Sequence, residues 1–141
     1  MITQPEPTPL SDNDFLLSFL AGSLSASDFD HRGHLRAAWL ILGRQPRDQA
    51  IETICAGILQ IATRLGAHSK FHRTLTEALV RIMDARRRQA RDQDWPDFLA
   101  KNQDLLHNAT QVLSRHYSDP LLQSTPARTM FVVPDRERLP E

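Results

Sequence analysis

The sequence predicts an all-α, single-domain bundle of five or six helices with an irregular C-terminal tail. Three observations carry this. Apolar residues recur at helical spacing through most of the chain. Helix starts and stops separate the periodic segments: Ser11-Asp12, Gly22, Gly43, Pro46, Gly66 and Asp94-Trp95-Pro96. Finally, the one short apolar run of the tail, Met130–Val133, would be unstable as a strand, because no second convincing strand exists to pair with it.

Taken in order, Met1–Leu10 carries prolines at positions 5, 7 and 9 and reads as a mobile arm of residues 1–10. The bundle is assigned to residues 11–120. Its first helix starts at Ser11 or Asp12, with Phe15, Leu16, Phe19 and Leu20 as its apolar stripe, and stops at Gly22. A second helix is expected from Ser27 or Asp28 to about Leu42, with Leu35, Ala38, Trp39 and Leu42 facing inward. A third runs from about Arg47 to Leu65, its stripe including Ile51, Ile54, Cys55, Ile58 and Ile61. The fourth starts near Ser69–Phe71 and ends at about Arg88, with Leu75, Ala78, Leu79, Ile82 and Met83 inward. A short helix follows Asp94, and another is expected from Asp104 to about Tyr117, closed by Ser118-Asp119-Pro120. Residues 121–141 read as a tail wrapped over the bundle. Trp39, Ile54, Ile58, Leu75, Leu79, Ile82, Leu106 and Leu113 are the expected core.

Composition narrows the function classes. The 141 residues carry 17 basic and 17 acidic side chains, so no basic excess points to nucleic acid. The turn at residues 43–47 joins two helices, but the helix after it is rich in isoleucine and lacks a polar, basic reading face. The single cysteine, Cys55, leaves neither an internal disulfide nor a cysteine zinc site, and it reads as a small core residue. No apolar run approaches a membrane span, and no basic leader is present. A cytoplasmic, membrane-free protein is the expectation.

The six histidines carry the chemical signal. His31 and His34 are three apart at the start of the second helix, on the face that continues as Leu35 and Ala38. His72 opens the fourth helix on the face of Leu75 and Leu79. Up–down–up topology makes the second and fourth helices parallel, so their N-terminal ends share one end of the bundle. His31, His34 and His72 are therefore expected to converge. A helix N-terminus disfavours the imidazolium, and neutral imidazole ligates transition metals. Three such ligands with one open position suit a catalytic divalent metal, zinc or iron, acting on a small molecule, an anion being one candidate. A metal-free pocket with histidine as acid or base, and purely structural histidines, are the alternatives. Thr76 follows His72 by one turn and is assigned to ligand binding. His116 and Tyr117, at the end of the last bundle helix, are placed at the same mouth. Arg128 in the tail is the expected anion clamp, or else a pin for the tail. His68 and His107 are expected at the surface. A non-catalytic, homodimeric interaction module is the runner-up function.

Phe29-Asp30-His31-Arg32-Gly33-His34-Leu35 and Phe71-His72-Arg73-Thr74-Leu75-Thr76 carry the patterns Phe-x-His-x-x-His-Leu and aromatic-His-x-Thr-x-Thr. Together with Ala127-Arg128, Phe131-Val132 and Pro134-Asp135, they resemble segments of a family of small, all-helical bacterial proteins of uncharacterised function. The resemblance spans about Phe29 to Leu139. It implies an all-helical fold and assigns no catalytic residue.

Overall fold

The structure, a computed structural model, describes residues 10–90 and 93–141. The protein is all-α. The described residues form nine helices, one 3-10 turn and no strand. They are α1 (Asp12–Ala21), α2 (His31–Leu42), α3 (Arg47–Arg64), α4 (Arg73–Gln89), α5 (Trp95–Lys101), α6 (Gln103–His107), α7 (Ala109–Ser114), α8 (Asp119–Leu122) and α9 (Thr125–Thr129).

Most boundaries follow from caps. Ser11 accepts the Asp14 N–H at 3.1 Å, and Gly22 ends α1 in the left-handed conformation. The second helix starts later than expected. Ser25 and Asp28 close a turn of their own, and Asp30 becomes the cap, accepting the Gly33 N–H at 2.8 Å. The fourth also starts later, at Arg73, after a 3-10 turn over His68–Lys70, because His72 is itself the N-cap.

The expected Asp104–Tyr117 helix is broken at Asn108, whose φ of −134° leaves the helical region. The break divides it into α6 and α7. Leu105 is fully buried and Leu106 only partly. Asn102 and Asn108, poor helix formers, flank α6. The tail also holds more helix than expected. Ser118-Asp119-Pro120, read as a stop, is a start: Ser118 caps α8 with Pro120 in its first turn. Ser124 and Pro126 repeat the pattern at α9.

Helices α2, α3 and α4 form the central layer, with α1 against α2 and α3. Trp39, Ile54, Ile58, Leu79, Ile82 and Leu113 are buried as expected, whereas Leu75 and Leu106 are partly buried at the core's edge. Helix α4 is covered on a second side by α7 and α9, which is why Thr74 and Glu77 are buried opposite its apolar stripe. Buried Glu77 bonds both Arg73 and Arg81 at 2.9 Å. Each carboxylate oxygen is thereby answered, the condition under which a buried charge is tolerated.

The tail is fastened by side chains of the bundle. Thr74 donates to the Met130 carbonyl at 2.9 Å and accepts the Val132 N–H at 3.2 Å. Ser118 bonds both carboxylate oxygens of Asp135, through its backbone N–H and its hydroxyl. The arm expected over residues 1–10 lies outside the described residues except for Leu10. That residue packs on the core, and its carbonyl accepts from Arg36 at 2.9 Å. Among the described residues no helix is long and apolar enough to cross a membrane.

Candidate functional site

The parallel placement of α2 and α4 brings His31 and His34 to one cavity with Thr76. Its remaining walls are apolar: Leu35 and Ala38 from α2, Ile54 and Ile58 from α3, and Leu75, Leu79, Val80 and Met83 from α4. The free space is about 60 Å³. About 10–15 Å³ of such space already holds one water, so there is room for a small group.

His34 is the least satisfied polar group there. Its Nε2 is buried and finds no hydrogen-bond partner among the described residues. The Phe29 ring meets the imidazole edge-on with centroids 4.4 Å apart. Burial pushes the His34 pKa down to about 4, helped by neighbouring His31 and opposed by Asp30. The ring is therefore neutral at pH 7. It presents one unpaired nitrogen in apolar surroundings, where an unmade hydrogen bond is most costly.

Gly33 explains how the loop before α2 reaches this position. A Cβ there would stand 2.0 Å from the Asp28 carbonyl oxygen, so only glycine lets the Asp28–Asp30 turn close over the helix start. The His-x-Gly-His order thus holds the first turn of α2 against its own preceding loop.

His31 is bonded at Nε2 to the Leu105 carbonyl at 2.7 Å. A carbonyl only accepts, so Nε2 carries a proton and Nδ1 is the nitrogen left for any ligand.

His72 is placed differently from the expectation. Its Nδ1 accepts the Leu75 N–H at 3.1 Å, capping α4, and its Nε2 donates to the Leu122 carbonyl at 2.6 Å. Both ring nitrogens are engaged, and the ring is not part of the cavity lining. The expected His31, His34 and His72 ligand set is therefore not assembled. Among the described residues no group of three or more His, Cys, Asp or Glu side chains is placed to hold a metal ion. The cause is α8, which delivers the Leu122 carbonyl to the His72 ring.

The other expected ligand-binding residues divide. Thr76 lines the cavity with His34. His116, Tyr117 and Arg128 do not, because the tail intervenes. Tyr117, fully buried, donates its hydroxyl to the Val132 carbonyl at 2.7 Å, and burial raises its pKa to about 12. The Nδ1 of His116 bonds the Glu137 carbonyl at 2.9 Å. Arg128 donates to the Ser69 carbonyl at 2.6 Å, so it pins α9 to the turn before α4. His68 and His107 are exposed, as expected. Burial also pushes the Cys55 thiol up to about 11, which keeps it protonated and in keeping with a core residue.

The sequence reading missed the Leu105 and Leu122 carbonyls that occupy two of the histidines. The available signal was the repeated Ser-x-Pro, at Ser118-Asp119-Pro120 and Ser124-Thr125-Pro126, which marks helix starts in the tail. No family model, curated protein or solved structure matches the chain.

Proposed function

We propose that the protein binds a small, neutral, mostly apolar molecule in the α2–α3–α4 cavity, with one polar atom hydrogen-bonded to His34. The observation that carries this reading is the buried, unpartnered Nε2 of His34 in a residue that lines free space. Thr76 supplies a second polar contact at the same cavity. The lining contains no Lys or Arg, and His34 is neutral, so an anion entering here would lose water without gaining a countercharge. A neutral occupant is preferred for that reason. The small volume suits one end of a molecule, such as a short alkyl group with a hydroxyl or carbonyl.

Ligand-observed NMR with a series of short alcohols and ketones tests this. We expect saturable binding that weakens in His34→Phe and is lost in Ala38→Phe, which fills the cavity and leaves His34 in place. Binding unchanged by Ala38→Phe would remove the cavity as the site.

A zinc or iron ion at the same mouth is the second reading. His31 Nδ1 and His34 Nε2 favour it, as two imidazole nitrogens at one cavity without a protein partner among the described residues. A third histidine would require His72 to release both Leu75 and Leu122. Zinc titration followed by elemental analysis separates the readings. Stoichiometric zinc that is lost equally in His31→Ala, His34→Ala and His72→Ala would favour the metal.

A further inference from the structure

The segment after α9 leaves the helix in an extended conformation at Met130, and its hydrogen bonds alternate along the chain. Met130 has φ −148° and ψ 158°, the geometry of a strand. The inward edge is fully used: Thr74 takes the Met130 carbonyl and the Val132 N–H, and Tyr117 takes the Val132 carbonyl. In an extended chain the N–H and C=O of one residue point to the same edge, and neighbouring residues alternate. Phe131 and Val133 therefore direct their N–H and C=O groups the other way. Those groups find no partner among the described residues.

This outer edge borders a groove of about 610 Å³. Phe131, Val133 and Leu139 give it apolar contacts, Arg47, Arg81 and Arg138 give it three cations, and Glu141 gives it one carboxylate. Val133 is 75% exposed. The Arg81 guanidinium lies 4.8 Å from the Phe131 ring centroid while bonded beneath to Glu77. Arg138 makes no ion pair among the described residues, and Arg47 pairs only with exposed Asp48. A second groove shares Arg47 and Glu141 with the first and adds Arg87 beside an Arg88–Asp84 ion pair.

We infer that this edge accepts an extended acidic peptide of another protein by strand addition. Main-chain bonds to Phe131 and Val133 would hold its backbone. Every second side chain would face the groove, and there apolar and acidic residues in turn would meet Phe131, Val133 and Leu139 and the arginines. A nucleic acid would use the arginines but neither the apolar strip nor the strand edge. A second copy would bring its own Arg47, Arg81 and Arg138 to the same seam, and like charges oppose that pairing.

The test uses the full chain and a fluorescein-labelled valine–glutamate peptide, with threonine at every second position and valine and glutamate in turn between, read by polarisation. Three comparisons accompany it: a valine–lysine peptide, the valine–glutamate peptide with alternate amides N-methylated, and the variants Val133→Pro and Arg138→Glu. Val133→Pro removes one outward N–H and leaves the Thr74 and Tyr117 bonds in place. Circular dichroism and urea midpoints check that both variants fold. We expect each change to weaken binding at least roughly tenfold, about the value of one ladder bond or one charge contact. No binding at about 1 mM peptide would overturn the proposal. So would equal binding of the lysine or N-methylated peptide, or indifference to Val133→Pro. A dimer in sedimentation that Val133→Pro dissolves would assign the edge to a second copy and overturn the peptide.

Discussion

The Nε2 of His72 lies 2.6 Å from the carbonyl oxygen of Leu122, so the ring that caps α4 also fastens the tail to it. One residue thus performs two structural tasks at the place where a metal ligand was expected. Replacing it separates them. His72→Ala removes the cap and the tail bond and should cost about 1–3 kcal/mol. His72→Asn keeps a good cap and should recover about 1 kcal/mol of that. Urea denaturation of the three proteins checks this. Equal stability of the Ala and Asn variants would contradict the capping role.

The depressed pKa of His34 makes stability depend on pH. An unfolded chain takes up a proton at this residue near 6.5, whereas the folded chain resists until about 4. Between those values the unfolded state binds more protons, so stability falls as pH falls through that window. The shift corresponds to at most about 3 kcal/mol, and partial solvent access to the ring reduces it. Against His34→Gln, the wild type should lose stability from pH 7 to 4.5, and the difference should level off below pH 4. A pH-independent difference would show that the ring is not buried as a neutral group.

Gly33 gives a case where propensity and packing disagree in sign. Alanine in a helix interior is ordinarily favoured over glycine by about 0.8–1 kcal/mol. At position 33 the added Cβ would stand 2.0 Å from the Asp28 carbonyl oxygen, a backbone atom. Overpacking of that kind costs about 1–3 kcal/mol, so Gly33→Ala should destabilise. A more stable Gly33→Ala would show that the Asp28–Asp30 turn moves freely.

Thr74 is where the tail depends on α4 most. Thr74→Val keeps the shape and removes the hydroxyl, leaving the Met130 carbonyl and the Val132 N–H without it. We expect a loss of about 1–3 kcal/mol. Because the bonds lost are those of the tail, limited proteolysis should cut residues 125–141 earlier than in the wild type, before the bundle opens. Simultaneous cleavage of bundle and tail would contradict this order.

How far the sequence could be read depended on the range of the interactions. Helical stripes and caps are local, so α1, α3 and the core positions Ile54, Ile58, Leu79 and Ile82 were visible as patterns. The shared end of α2 and α4 followed from short connections, and it did bring His31, His34 and Thr76 to one cavity. What decided the fate of His72, His116 and Tyr117 was a set of backbone carbonyls at Leu122, Glu137 and Val132. Carbonyls carry no side-chain identity, so no residue pattern announces them. The Asn108 break was hidden for another reason. A single poor helix former is tolerated in many helices, and only packing decides whether the chain bends there.

The most direct test of the central claim is to watch the His34 imidazole itself. With histidine ring nitrogens labelled with nitrogen-15, NMR reports the protonation and hydrogen bonding of His34 Nε2, assigned by comparison with His34→Gln. At pH 7 the ring should be neutral. Adding a short alcohol should shift its Nε2 signal saturably, and Ala38→Phe should abolish the shift while leaving the ring neutral. A His34 signal that titrates near 6.5, or that stays fixed while a ligand binds elsewhere, would contradict the account.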